Sequence, residues 1–360
     1  MRTVIFATGG SGGHIYPALA VAEAGRDRGE EVAFLGQSGG LEEEVISRAG
    51  FRFHGVRAGK WDRGRPNPRQ ALSAATGVIQ AVWSLRIMRA ELVVGFGGFA
   101  SFPGCAAATL LRIPLVLHEG NAFPGRVTRW FATRARAVVG AQPEVVTHLP
   151  KSVRQHCFVQ LPQPVRERRV VRPKARADLG LPADGPVTLV MGGSQGSMTL
   201  NRIVPEAYRQ LKRATAVLHS TGTRWHRTVS ERVSDLAGYR ALPYIDATLA
   251  WSASDLGITR SGVSTLAEAA YHGVPLIMVP LPSSAEQHQL HNARAVESAG
   301  GGTVVEEADL KTLAETWDRS LEPSELLRAG EAAWSRSSEG AALRIWDLLD
   351  RVRAGAEVAS

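Results

Sequence analysis

The chain has 360 residues, 44% of them hydrophobic and 21% charged, which excludes a disordered or fibrous protein and leaves room for two cores. Its formal net charge of +8 favours acidic partners, such as nucleic acid, anionic lipid or phosphorylated substrates, without choosing among them. Two cysteines, Cys105 and Cys157, with no Cys/His spacing for zinc, read as small core residues of a chain kept in a reducing compartment.

The N-terminus runs directly into a strand and a glycine turn, and its apolar run is too short for a signal peptide. Short apolar runs at Val4–Ala7, Val32–Leu35, Leu92–Val94, Leu115–Leu117 and Ala137–Val139 predict strands. Helices are expected between them at Ala18–Arg28, Glu42–Arg48, Pro68–Met88 and Phe123–Ala132. The uncharged stretch Leu92–Leu111 is long enough to cross a bilayer, but Gly95, Gly97, Gly98 and Pro103 divide it into strand, turn and helix start. Phe158–Pro186 is rich in proline and charge and reads as a linker. Strands then resume at Val187–Met191, Ala216–Leu218, Leu256–Ile258, Leu276–Val279 and Thr303–Val305. The expected fold is α/β: two doubly wound, Rossmann-like parallel-sheet domains in tandem. Each half opens on a strand, a glycine turn and a helix (Val4–Gly13 and Val187–Gly196), so two such domains facing each other would put both turns on one interdomain cleft.

Glycines at a strand-to-helix turn let backbone N–H groups approach a phosphate, with the helix dipole in support. Neither turn is a Walker A loop or an in-register GxGxxG, and Gly36-Gln37 stands where a dinucleotide fold needs an acid. His14, in the first turn of its helix, is a candidate general base or a surface histidine. Arg260 suits a diphosphate and Glu268 a ribose diol, although Thr265-x-x-Glu268 also matches a capping box. His118 reads as a buried, satisfied histidine and Asn121 as a sugar ligand. His288 and His291 lack a third metal ligand, and no Asp-x-Asp is present, so helix N-termini and arginine must meet any leaving-group charge.

TGGSGGHIYPALAVAE, GFGGFASFPG, HEGNAFPG, GGSQGSMTLN and TRSGVSTLAEAAYHGVPLIMVPLP, in order from Met1 to about Val305, together resemble the MurG family. The resemblance implies the GT-B architecture, with a domain over residues 1–163 that faces acceptor and membrane. A donor-binding domain over 164–336 and a C-terminal helix over about 337–355 returning to the first domain complete it. It implies inverting transfer of N-acetylglucosamine (GlcNAc) from UDP-GlcNAc to the 4-hydroxyl of a polyprenyl-diphosphate-linked muramyl-pentapeptide, with no metal and no cofactor. The place implied is the cytoplasmic face of the membrane, held peripherally on an anionic surface, with no nucleic acid as partner. On this resemblance His14 is the first candidate base and Glu119 the reserve. Ser11, Gly12 and Gly13 lie near phosphates; Asn121 contacts GlcNAc; Arg166 matches a donor-site arginine. Ser194 and Arg260 match diphosphate ligands, and Ile245 the backbone that reads uracil. Val263, Ser264, Thr265, Leu266, Ala267 and Glu268 match the helix start for phosphate and ribose, and Gln289 a sugar ligand. Two departures concern the acceptor: Gly120 where the family usually has glutamine, and Pro282–His288 in place of the commoner Asp-His-Gln form. A paralogue acting on another acceptor, such as a secondary metabolite, and a non-catalytic nucleotide-sugar or nucleic-acid binder are the competing readings. The intact His14 and Glu268 argue against loss of catalysis, and no nucleic-acid motif is present.

Overall fold

The computed structural model describes residues 3–59, 68–193, 195–284 and 287–358. The chain forms two compact units, Met1–Arg166 with Glu339–Ser360, and Glu167–Ser338.

In the first unit, strands and helices alternate: β1 Thr3–Ala7, α1 Gly12–Asp27, β2 Val32–Gln37, α2 Leu41–Arg48, β3 Arg52–Val56, α3 Pro68–Ile87, β4 Ala90–Gly95, α4 Phe102–Leu111, β5 Leu115–Glu119, α5 Arg126–Phe131, β6 Ala137–Gly140, α6 Lys151–His156 and β7 Phe158–Gln160. The strands pair in parallel in the order β3-β2-β1-β4-β5-β6-β7. Strands β1 and β5 are buried at every position, as a sheet covered on both faces requires. The direction of winding reverses between β1 and β4, which in open α/β sheets is where ligands bind, beyond the carboxyl ends.

The second unit runs α7 Arg172–Asp178, β8 Val187–Met191, α8 Met198–Tyr208, β9 Ala216–Ser220, α9 His226–Arg232, β10 Tyr239–Leu242, α10 Ala247–Ala253, β11 Leu256–Thr259, α11 Val263–His272, β12 Leu276–Met278, α12 His288–Ser298, β13 Gly302–Val304, α13 Leu313–Ser320 and α14 Pro323–Ser335. Its parallel order β10-β9-β8-β11-β12-β13 reverses between β8 and β11. α11 ends at Gly273, whose φ of +68° is the left-handed conformation that glycine supplies at a helix C-terminus.

The last helix, α15 Ala341–Arg353, packs on α1 within the first unit. Trp346 is fully buried and its indole N–H donates to the Val21 carbonyl at 2.7 Å. Gly25 makes this possible, since a Cβ there would lie 2.2 Å from the Trp346 ring. Leu92–Leu111 folds as the strand, glycine turn and helix expected of it, and among the described residues no helix is long and apolar enough to cross a membrane. β3 and β10 go beyond the sequence reading, and α7 forms within the stretch expected to be a linker.

Candidate functional site

At the end of β1 the chain turns through Gly9 and Gly10, with φ of +141° and +85°. A residue the sequence reading missed holds this turn. Glu42 is 1% exposed, and its carboxylate accepts from Gly10 N at 3.3 Å and Gln37 N at 3.0 Å. A Cβ on Gly9 or Gly40 would collide with that carboxylate at 2.1 and 2.7 Å. Three consecutive glutamates at the start of α2 concealed which one is buried, and only the surrounding glycines carried a signal.

Ser11 is the N-cap of α1, but its hydroxyl bonds the His14 Nδ1 at 3.0 Å instead of capping a backbone N–H. The first helical N–H groups, from Gly12 and Gly13, therefore lack a side-chain cap. His14 is half-buried and packs on the turn after β4, where Cβ atoms on Gly97 and Gly98 would lie 3.0 Å from Cδ2 and 3.1 Å from Nδ1. His118 is buried at the end of β5 beside Phe96, with ring centroids 5.2 Å apart. Burial, and secondarily the charge of His14, pushes its pKa down to about 3, so it is neutral. Unlike the satisfied histidine expected, its Nε2 has no partner among the described residues.

Glu119 is 4% exposed, and its carboxylate accepts four hydrogen bonds. Asn121 N and Nδ2 donate to Oε1 at 3.1 and 3.0 Å, and Gly125 N and Thr128 Oγ1 to Oε2 at 2.8 and 2.7 Å. These bonds occupy the lone pairs a base would offer, which corrects the reserve role of Glu119: it positions Asn121 and the loop into α5. Arg166 is likewise engaged, forked on Glu23 of α1 at 2.9 and 2.6 Å.

In the second unit the turn after β8 passes through Gly193 and Gly196, with φ of +88° and +74°. Ser194 lies outside the described residues. Ser197 caps α8, accepting from Leu200 N at 3.4 Å. Arg260, 9% exposed, donates to Ser197 Oγ at 3.1 Å, to the Val279 and Pro280 carbonyls at 3.0 and 3.2 Å, and to Glu307 at 2.7 Å. Its guanidinium is thus committed to the protein, and the expectation of a direct diphosphate ligand gives way to that of a tie between strand ends. Glu307 also accepts from Thr199 Oγ1 at 3.0 Å, binding the start of α8 into the same network. The sequence reading did not single out Glu307.

Gly262 is the N-cap of α11 and offers no side chain. The backbone N–H groups at Val263, Ser264 and Thr265 open the helix there, the arrangement that receives an anion. Around this start the hydroxyls of Thr259, Ser261 and Ser264 are buried without partners among the described residues. Thr265 is the third residue of the helix and not its cap, which excludes the capping-box reading. Leu266 is buried and Ala267 partly so. Glu268 accepts from the Trp251 indole at 3.1 Å, and burial pushes its carboxyl up to about 7 despite that bond. Ile245 precedes α10, whose cap is Asp246, and its own N–H and C=O have no partner among the described residues. Gln289 Oε1 accepts from Ser261 N and Leu281 N at 3.3 and 3.0 Å, which brings it to the α11 start. A cavity of about 720 Å³ lined by Pro186, Asp255, Pro275, Leu326 and Trp334 lies instead at the amino ends of these strands.

Residues 4–139 match the glycosyltransferase family 28 N-terminal domain and residues 187–343 its C-terminal domain. A relative from Deinococcus radiodurans, a UDP-N-acetylglucosamine–N-acetylmuramyl-(pentapeptide) pyrophosphoryl-undecaprenol N-acetylglucosamine transferase, is 46% identical over 97% of this chain and 96% of its own. The chain belongs to the MurG family of glycosyltransferases. A Thermus thermophilus relative of the same description is 41% identical over 96% of this chain and 99% of its own. The crystal structure of Acinetobacter baumannii MurG superposes with a TM-score of 0.79 at 26% identity, covering 98% of this chain and all of that one (100%). The family fold is therefore two Rossmann-like parallel-sheet units.

The state of Glu268 has a measurable consequence. Its carboxyl keeps a proton up to about pH 7 in the folded protein but only to about 4.5 when unfolded. Stability from this source is full below pH 4.5 and is lost as pH rises to 7. Glu268→Gln should therefore gain on the wild type by up to roughly 3 kcal/mol across that window, read as diverging thermal midpoints. Parallel curves would show that the carboxyl is not buried as described.

Proposed function

We propose that this protein transfers GlcNAc from UDP-GlcNAc, with inversion, to the 4-hydroxyl of N-acetylmuramyl-pentapeptide on a polyprenyl diphosphate. The near full-length identity of 46% to a relative so described carries this reading, and the chemistry at the strand ends supports it. The first unit takes the acceptor and the second the donor. At the α11 start, backbone N–H groups stabilise the diphosphate charge that grows as the glycosidic bond breaks. Glu268 holds the ribose hydroxyls, and the Ile245 backbone meets the edge of uracil. Gln289 and Asn121 serve sugar hydroxyls, and Ser194 belongs with the diphosphate. Arg260 acts at one remove, through Ser197. In the first unit Ser11, Gly12 and Gly13 face acceptor phosphate. In the tautomer whose Nδ1–H donates to Ser11, His14 keeps a lone pair on Nε2 to take the acceptor proton.

A lipid-linked acceptor requires a membrane face. On α3, Leu72, Ile79, Trp83 and Ile87 are 62–70% exposed and fall on one helical stripe. α3 packs against α4, which adds the exposed Leu110, and Trp130 is exposed on α5. Arg69, Arg86, Arg89 and Arg112 are exposed around them. Leu85 on the same helix is buried, and Arg63 and Arg65 lie outside the described residues. The stripe and its arginines support peripheral attachment to the anionic cytoplasmic surface of the membrane.

His14→Ala should lower turnover by roughly 10²-fold or more while UDP affinity, measured by calorimetry, changes less than about twofold. Near-normal turnover would remove His14 from the mechanism. The protein should also sediment with anionic vesicles at low salt and be released at high salt. Ile79→Glu with Trp83→Glu should abolish sedimentation and slow transfer to a long-chain acceptor more than to a water-soluble one. Equal loss on both acceptors, or unchanged sedimentation, would refute the membrane face and favour the paralogue with a soluble acceptor.

A further inference from the structure

A buried polar atom without a partner has given up its bonds to water and received none in return, so such atoms are few in native proteins and call for a cause. Several of them lie at the carboxyl ends of the two sheets. In the second unit these include the hydroxyls of Thr259, Ser261 and Ser264 at the α11 start. In the first they include His118 Nε2 and both amide atoms of Gln163, with no partner among the described residues.

Gln163 follows β7 in Leu161-Pro162-Gln163-Pro164, between two prolines that restrict the chain on either side. The residue is 4% exposed. Its carboxamide lies against Gly120, where a Cβ would stand 2.6 Å from Oε1, 3.1 Å from Cδ and 3.2 Å from Nε2. Gly120 does not have a positive φ, so its backbone does not require glycine. What requires it is the space taken by Gln163. A carboxamide reaching in from position 163 therefore fills the space beside Gly120.

The result is a neutral carboxamide one residue from Asn121, with a donor and an acceptor both unmet. An ionised phosphate presents acceptors only and would leave Oε1 unsatisfied. A hydroxyl or acetamido group offers both kinds of partner. We propose that Gln163 is a specificity-determining residue whose carboxamide hydrogen-bonds an N-acetylamino sugar held beside Asn121. This rests on the transfer reaction proposed above, in which donor and acceptor each carry such a sugar, and kinetics distinguish the two.

The test compares Gln163→Leu with wild type, and Gln163→Met provides a second apolar side chain of the same length should leucine not fold. Removing an unpaired amide should leave the thermal midpoint unchanged or raise it. The same change should raise KM for one sugar substrate about tenfold or more, the scale of one lost hydrogen bond. A rise confined to UDP-GlcNAc, with weaker preference over UDP-glucose, places the donor sugar at Gln163; a rise confined to the lipid acceptor places the muramyl sugar there. Gly120→Ala, which displaces the amide, should move the same KM in the same direction. A lower midpoint with both KM values within twofold of wild type would make Gln163 a packing residue and overturn the proposal. Wild-type turnover in the same assay separates this from failure of the transfer reading, since without wild-type activity it is the reaction that is wrong.

Discussion

A helix that starts without a side-chain cap exposes backbone N–H groups that only water or a ligand can satisfy. Both units place such a start where the winding of their sheet reverses. In the first, the Ser11 hydroxyl is turned away to His14, and in the second Gly262 has no side chain to offer. The parallel sheets make this possible. Strands buried on both faces fix the direction in which α1 and α11 leave, so the donors point beyond the carboxyl ends whether or not a ligand is there.

Around these starts, the charged side chains are largely spent on the protein. Glu42 holds the first glycine turn, Glu119 holds the loop carrying Asn121, and Arg260 with Glu307 ties the β11 turn to α8. What remains for a ligand is mainly neutral: backbone N–H groups, hydroxyls, the carboxamides of Gln289 and Gln163, and the neutral His118 ring. Glu268, whose proton is lost near neutrality, is the exception. The set in the second unit suits a nucleotide sugar, in which the charge is confined to the diphosphate and the rest is read by hydrogen bonds.

The sequence made the central strands legible because two-sided burial writes them as unbroken apolar runs, such as Val4–Ala7 and Val187–Met191. β3 escaped because Arg52, Phe53, His54 and Gly55 are only partly covered at the sheet edge and leave no apolar run. Glycine turns and helix starts could be read from local spacing. Partners brought together by the fold could not: Glu307 is 47 residues from Arg260, and Gln163 meets Gly120 from another strand end. Residue type alone also misassigned roles, since an arginine or glutamate suited to a ligand is equally suited to bind its own loops, as Arg260 and Glu119 do.

The uncapped start of α11 is the proposed seat of the donor's diphosphate. Calorimetry of the full chain with UDP and with uridine, each in excess chelator, tests this directly. Binding of UDP at least about tenfold tighter than uridine, undiminished by the chelator, is the predicted result, because charge at a helix N-terminus is worth on the order of 1–2 kcal/mol. Equal affinity for UDP and uridine, or UDP binding that requires a divalent cation, would contradict it.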